Sequence, residues 1–323
     1  MTSAINEYFD QAQLSMAAYA AGLVVEMNMG ENRDAYEDAL RGGGMSNAQA
    51  TRFAAEYSIV STTYIDISGL AVNVFRDNET GQIVLAIRGT NDVLDILSNA
   101  ELYFGGITRP QTVSLYNYVQ RLLTPAGQLA PQVIDAPPYS GTGSGIYAAP
   151  AVLGLGYLSG ASGVTVPGHS LGGHLSAVAS RLFPSLIQST YTYNAPGFNL
   201  PVADALLDQF PGDAGAFPSN ITNVVADTGV TVISNVGDLP GTPKRIFIED
   251  QSLITNFPGN HGIAPLTDAL AIYNLFATID PTGTIERVTE ILKASATTDK
   301  KTLETALDSL RTLFQENYAF GSP

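Results

Sequence analysis

The chain of 323 residues contains no cysteine. Disulfides, thiolate nucleophiles and cysteine-held metals are therefore excluded. Basic residues are scarce as well: Lys and Arg number 15 against 30 Asp and Glu, a formal net charge of -15. A surface of that sign repels phosphate backbones, so no nucleic-acid partner is expected. It also exerts no broad pull on anionic lipid, whereas a neutral lipid surface or a small ester meets less repulsion. No uninterrupted apolar run reaches the roughly 18 residues of a membrane span, so no transmembrane segment is expected. The amino terminus, MTSAINEYFDQAQ, carries Glu7 and Asp10 and lacks the basic n-region of a signal peptide. The expected location is outside the cell by a signal-peptide-independent route, or otherwise the cytoplasm; the tail ENYAFGSP also reads as a cut-point before a longer chain. Histidine is limited to three residues, His169, His174 and His261, with no H-E-x-x-H and no carboxylate spacing that suits zinc.

What is present is a core-forming composition, 45% hydrophobic, arranged as alternating periods. Residues 5–22 carry Ile5, Phe9, Ala12, Met16 and Tyr19 at helical spacing. Helices are predicted at 32–41 and, capped by Ser46, through 56. The segments YSIVSTTYIDI, LAVNVFRD and QIVLAIRG then read as strands, the last two joined by the turn DNETG at 77–81. Residues 111–133 and 147–158 read as helices around a loop at 137–146. A short strand at 163–167 precedes the amphipathic helix 171–183; strands are predicted at 189–193, 221–226, 230–234 and 245–249. Helices at 265–277, 285–293 and 300–315 complete the pattern. Strand–helix alternation without repeats or linkers predicts one α/β domain over 1–323: a three-layer, mostly parallel sheet flanked by helices, with helical additions at the N-terminal and C-terminal ends, the latter spanning 284–323.

Gly168-His169-Ser170-Leu171-Gly172 lies between an apolar strand and an amphipathic helix and matches G-x-S-x-G. On a sharp strand-to-helix turn the two glycines remove clashing side chains, and the serine hydroxyl projects above the sheet beside a helix N-terminus. Such a nucleophile needs a base, and histidine is the usual one. His169 and His174 adjoin the turn and read as supporting or packing residues. His261, in the loop FPGNHGIAP, is free to reach over the strand ends and is the candidate base. The acid that orients it belongs between Ser170 and His261 in the order Ser…Asp/Glu…His. Asp227 directly follows ITNVVA at a strand end and is the first candidate; Asp238 in NVGDLPG is the alternative.

The backbone N–H of Leu171 is the first candidate oxyanion donor. Thr90, at the end of QIVLAIRGT, is the second, with both N–H and hydroxyl; RGT also reads as a turn in which Gly89 permits the bend and Arg88 pairs with an acid. Leu102, Tyr103, Phe104 and Ile107, in the Gly-flanked stretch ELYFGGITRP, are candidate lid residues, with ordinary loop packing as the alternative.

AIRGTNDVLDILSN at 86–99, VTVPGHSLGGHLSAVAS at 164–180, YNAPGFN at 193–199 and NHGIAPLTDALAIY at 260–273, with AQLSMAAYA at 12–20, resemble the class 3 lipase family, which includes the fungal triacylglycerol lipases. The resemblance implies an α/β-hydrolase fold and hydrolysis of lipid carboxylic esters, with nucleophile Ser170, base His261, and oxyanion donors Thr90 and Leu171. The family acid falls best on Asp227, although VVADTGVTVISNVGDLPG stretches the family spacing and keeps Asp238 in play. His174 stands where family members carry a small residue, and Ile96 lies near the place of an absent tryptophan. The function expected is that of a serine esterase, foremost a triacylglycerol lipase, taking a lipid or small ester with transient contact at a lipid interface. A phospholipase A1 and a non-catalytic lipid-binding module are the alternatives. No cofactor is required; the acidic surface leaves room for a structural calcium ion.

Overall fold

The computed structural model of the protein describes residues 2–28, 30–62, 67–90, 106–136, 145–212, 215–227, 237–248 and 261–295. Strands β1 (Tyr57–Thr62), β2 (Val72–Asp77) and β3 (Ile83–Ile87) form an antiparallel edge. Strands β6 (Val164–His169), β7 (Ile187–Tyr193), β8 (Ile221–Ala226) and β9 (Lys244–Ile246) continue it in parallel. Among the described residues this sheet has seven strands, in the order β1-β2-β3-β6-β7-β8-β9.

Alternation along the strands sends successive side chains to opposite faces, and each face has its own apolar cluster. Phe75, Val84, Ala86, Tyr193 and Val224 pack with helices α1 (Thr2–Ala17), α2 (Arg33–Gly42), α3 (Asn47–Glu56), α7 (Ile263–Ile279) and α8 (Ile285–Ser295). Val74, Leu85, Ile87, Val164 and Val166 pack with α4 (Arg109–Leu123), α5 (Leu171–Leu182) and α6 (Leu200–Leu207). The result is the three-layer architecture of an α/β-hydrolase fold, a mostly parallel sheet between helical layers with helical additions at both ends of the described chain. Ser46 caps α3 through a full capping box with Gln49. Asp204 and Asp208, both more than half exposed, pair with the buried guanidinium of Arg181 on α5.

The predicted helix at 111–133 forms as α4 but stops at Leu123; its last residues and the predicted helix at 147–158 instead make a separate antiparallel pair, β4 (Leu129–Ala136) and β5 (Gly145–Leu153). The reason is proline. Pro131 and Pro150 lack the N–H that a helix interior requires, and the register of the pair skips at Ala130/Gln132, where both prolines lie. The same logic applies to Pro167 in β6: the pairing with β3 runs through Thr165 and Gly168 and steps over it. The predicted strand at 230–234 and helix at 300–315 lie outside the described residues, as does most of the loop at 137–146.

Candidate active site

Ser170 stands between the last residue of β6 and the first of α5, with φ 57° and ψ -129°. A non-glycine residue in that region is strained and persists only where its surroundings over-determine it. Here they do. The Ser170 N–H donates to the Tyr193 carbonyl at the end of β7 (2.8 Å), and the Ser170 carbonyl accepts from Gly173 (2.9 Å). A side chain on Gly168 would collide with the backbone of Gly172, and one on Gly172 would collide with the carbonyl of Ile87 and lie 2.7 Å from the Arg88 carbonyl carbon. The two glycines therefore let α5 start directly against the ends of β6 and β3.

His261, just ahead of α7, is fully buried, and its Nε2 lies 3.0 Å from Ser170 Oγ. Ser170 is itself 1% exposed. Ninety-one residues of chain separate a serine and an imidazole that end in hydrogen-bond contact. Burial, and secondarily the neighbouring His169 ring, lower the His261 pKa to about 3, so the imidazole is neutral and Nε2 is an acceptor for the serine proton. Nδ1 must then carry the ring hydrogen. That atom is buried and has no hydrogen-bond partner among the described residues.

The main chain of His261 is clamped from two strands. Its carbonyl accepts from His169 Nε2 (2.7 Å), on the last residue of β6, and from Asn194 Nδ2 (3.0 Å), just past β7. Asn194 adopts φ 46°, which asparagine tolerates better than most residues. Its Oδ1 accepts from the Ala226 N–H (2.9 Å), the last residue of β8. His169 Nδ1 in turn meets the Tyr19 hydroxyl at 2.8 Å. The sequence places Tyr19 only in the apolar stripe of its helix and gives Asn194 no role, whereas His169 reads as a supporting or packing residue and supports His261 here. The available signal was Asn194 itself, a turn-prone residue directly after a strand inside YNAPGFN.

Asp227 follows β8 as expected, but its Oδ2 pairs with Lys293 Nζ on α8 at 2.7 Å. Asp238 is exposed and forms an isolated β-bridge with Phe198. Leu171 is buried at the first position of α5, where helix geometry leaves its N–H without an intrahelical acceptor. Thr90 is half-buried three residues after β3. His174 is a packing residue: buried, stacked on Phe198 with centroids 4.1 Å apart, and lowered by burial to a pKa of about 4. Ile107 is 3% exposed and belongs to the core cluster that includes residues of α4. The other candidate lid residues, Leu102, Tyr103 and Phe104, lie outside the described residues, as do Asp92, Asp95 and Ile96. Among the described residues there is no group of three or more acidic or histidine side chains placed to hold a metal, and no helix long and apolar enough to cross a membrane.

No family model and no curated protein matches the chain. Several solved structures are similar to it. Lip2 lipase from Yarrowia lipolytica is 14% identical, with 77% of this chain and 80% of that one covered at a TM-score of 0.41. A triacylglycerol lipase from Penicillium expansum is 16% identical over 76% and 81%, with a TM-score of 0.39. Lipase II from Rhizopus niveus is 17% identical over 72% and 74%, with a TM-score of 0.37. The fold rests on the strand order above, and the serine-hydrolase-like character of the site rests on Ser170 and His261, not on these likenesses.

Proposed function

We propose that the protein is a serine hydrolase that cleaves carboxylic esters of lipids, with neutral triacylglycerols as its foremost substrates. One observation carries this reading: a strained, buried serine on a strand-to-helix turn in contact with a neutral histidine. His261 Nε2 takes the proton as Ser170 Oγ attacks the ester carbonyl carbon, and the oxyanion is held by the N–H groups of Leu171 and Thr90 and by the Thr90 hydroxyl. The tetrahedral species collapses, the alcohol leaves with the proton from Nε2, and water repeats the attack on the acyl-enzyme. No cofactor enters these steps.

Asp227 is the proposed partner of Nδ1. Asn194 supports it over Asp238, because one side chain ties the His261 carbonyl to the strand end that immediately precedes Asp227. A phospholipid head group would want a cationic rim. Arg109, one candidate for that rim, is engaged by both carboxylate oxygens of Asp135 at 2.6 and 3.0 Å, which favours a neutral ester.

A fluorophosphonate probe should label the wild type at Ser170 and leave Ser170→Ala unlabelled. Ser170→Ala should fold and lose hydrolysis of a short p-nitrophenyl ester by about 10³-fold or more. An unlabelled wild type that still binds acyl chains would make the protein a lipid-binding module. Comparing tributyrin, a long-chain triglyceride and phosphatidylcholine, with and without calcium, tests the substrate class.

A further inference from the structure

The mechanism needs the side chain of His261, yet the shortest hydrogen bond of that residue is made by its carbonyl. A carbonyl only accepts, so His169 Nε2 must be the protonated nitrogen in the 2.7 Å contact. Nδ1 of His169 is then an acceptor, and the Tyr19 hydroxyl at 2.8 Å must donate to it. Gly89 packs closely on that hydroxyl and has no room for a side chain, since a Cβ there would lie 2.5 Å from both the Tyr19 hydroxyl and the His169 carbonyl. Every proton in the chain Tyr19 O–H, His169 Nε2–H, His261 carbonyl is thus assigned in one direction. The chain begins at the hydroxyl beside Gly89, one residue before Thr90, and ends on the base.

We infer that His169 and Tyr19 are positioning residues that seat His261 and couple its placement to the Gly89–Thr90 donor loop. This rests on the serine-hydrolase reading and adds to it. His169 is suited to the task because it precedes the nucleophile in β6: one backbone step separates the residue that holds the base from the residue the base must reach. Neither side chain touches reacting atoms, so their effect is on geometry. Burial of His169 keeps it neutral, with a pKa lowered to about 4, and so preserves the single-tautomer chain at neutral pH.

The test compares His169→Leu, His169→Gln and Tyr19→Phe with the wild type on p-nitrophenyl butyrate, alongside the rate constant for fluorophosphonate labelling. Leucine removes the donor to the His261 carbonyl, and kcat should fall by about 10²-fold with KM little changed, as expected for a misplaced base. The labelling rate should fall in parallel. Glutamine places an amide N–H near the position of Nε2 and should restore activity to within about tenfold of wild type. Tyr19→Phe removes one hydrogen bond of the chain and should lower kcat about three- to tenfold. Nitrogen-15 shifts should report His169 as the Nε2–H tautomer. A folded His169→Leu at the wild-type rate, a glutamine variant no better than leucine, or Tyr19→Phe at full rate would overturn the inference. If the leucine variant does not fold, the other two decide it. A wild type that fails to label at all would instead overturn the hydrolase reading, and this inference with it.

Discussion

The carboxyl ends of β6 and β8 stand two strands apart in the same sheet and differ in how completely they are determined. At β6, glycine packing, the strained Ser170 backbone and the hydrogen bonds around it leave a single geometry for the nucleophile. At β8, Asp227 is 24% exposed and paired with Lys293, while the buried Nδ1 it is proposed to serve has no partner among the described residues. One end is held by backbone contacts that cannot rotate. The other depends on a carboxylate whose choice of partner is set by side-chain torsions. A buried N–H without an acceptor costs about 1–3 kcal/mol, and a half-exposed ion pair contributes about 0–1 kcal/mol. On these magnitudes the proposed pairing of Asp227 with Nδ1 would outweigh its ion pair with Lys293.

The largest test of this contrast is at the acid. Asp227→Asn should lower kcat by about 10³- to 10⁴-fold, whereas Asp238→Asn should stay near wild type. Steady-state kinetics on a short p-nitrophenyl ester separates them. A large loss in Asp238→Asn with Asp227→Asn unaffected would reverse the assignment and make the end of β8 a structural site.

At the β6 end the sharpest perturbation is Gly172→Ala. Helix propensity alone predicts a gain of at most about 1 kcal/mol, the value for a helix interior, at this second residue of α5. Overpacking against the ends of β3 is expected to cost about 1–3 kcal/mol and to move the Arg88–Gly89–Thr90 loop, so the net sign should be destabilising, with activity lost as well. Gly42→Ala, where a Cβ meets nothing within 4 Å, should show the opposite sign. Urea midpoints read both. A stabilised, active Gly172→Ala would mean that the elbow is far looser than its contacts imply.

Legibility follows the same contrast. The elbow is local: apolar strand, glycine, serine, glycine and amphipathic helix are contiguous, so Ser170 and the two-faced sheet can be read from order alone. His261 followed from having few rivals. Tyr19, His169 and Asn194 could not be assigned their contacts, because those contacts span 150, 92 and 67 residues of chain and no periodicity encodes them. The β4–β5 pair was misread because its alanine-rich stretch imitates a helix until the two prolines are weighed together.

A pH profile reads both ends at once. His169, His174 and His261 all have pKa values lowered by burial, to about 4, 4 and 3. Below pH 6.5 the unfolded chain takes up protons that the folded chain refuses, so each histidine removes stability as pH falls toward 4. Asp10 works in the opposite direction, since burial raises its pKa to about 6 and the folded state takes up its proton first. Three sites against one leave a slope of about 2.7 kcal/mol per pH unit between roughly pH 5.5 and 4.5. Thermal unfolding across that window should show a steeply falling Tm, and a flat profile would contradict the buried, neutral histidines. The acid limb of kcat/KM tests the junction: a carboxylate at Nδ1 raises the His261 pKa above its burial-lowered value, so the limb of Asp227→Asn should lie at lower pH than that of the wild type.

The smallest expected effect is at Lys293, and it bears on the acid most directly. The ion pair with Asp227 is 46% exposed on the lysine side, and the ammonium also lies 5.6 Å from the centroid of the Phe247 ring. Lys293→Met keeps much of the apolar stem over that ring while removing the charge, so stability should fall by no more than about 1 kcal/mol. If Lys293 competes with His261 for Asp227, removing the competitor should raise kcat, by at most about fivefold for an exposed pair of this strength. Because the Phe247 contact sits on the same α8 side chain, Lys293→Met and Asp227→Asn combined in a double-mutant cycle separate the two contributions. Coupling in kcat, with near-additivity in Tm, marks Lys293 as a competitor for the acid; a fall of tenfold or more in the single Lys293 variant would instead make the lysine a support that holds Asp227 toward the base.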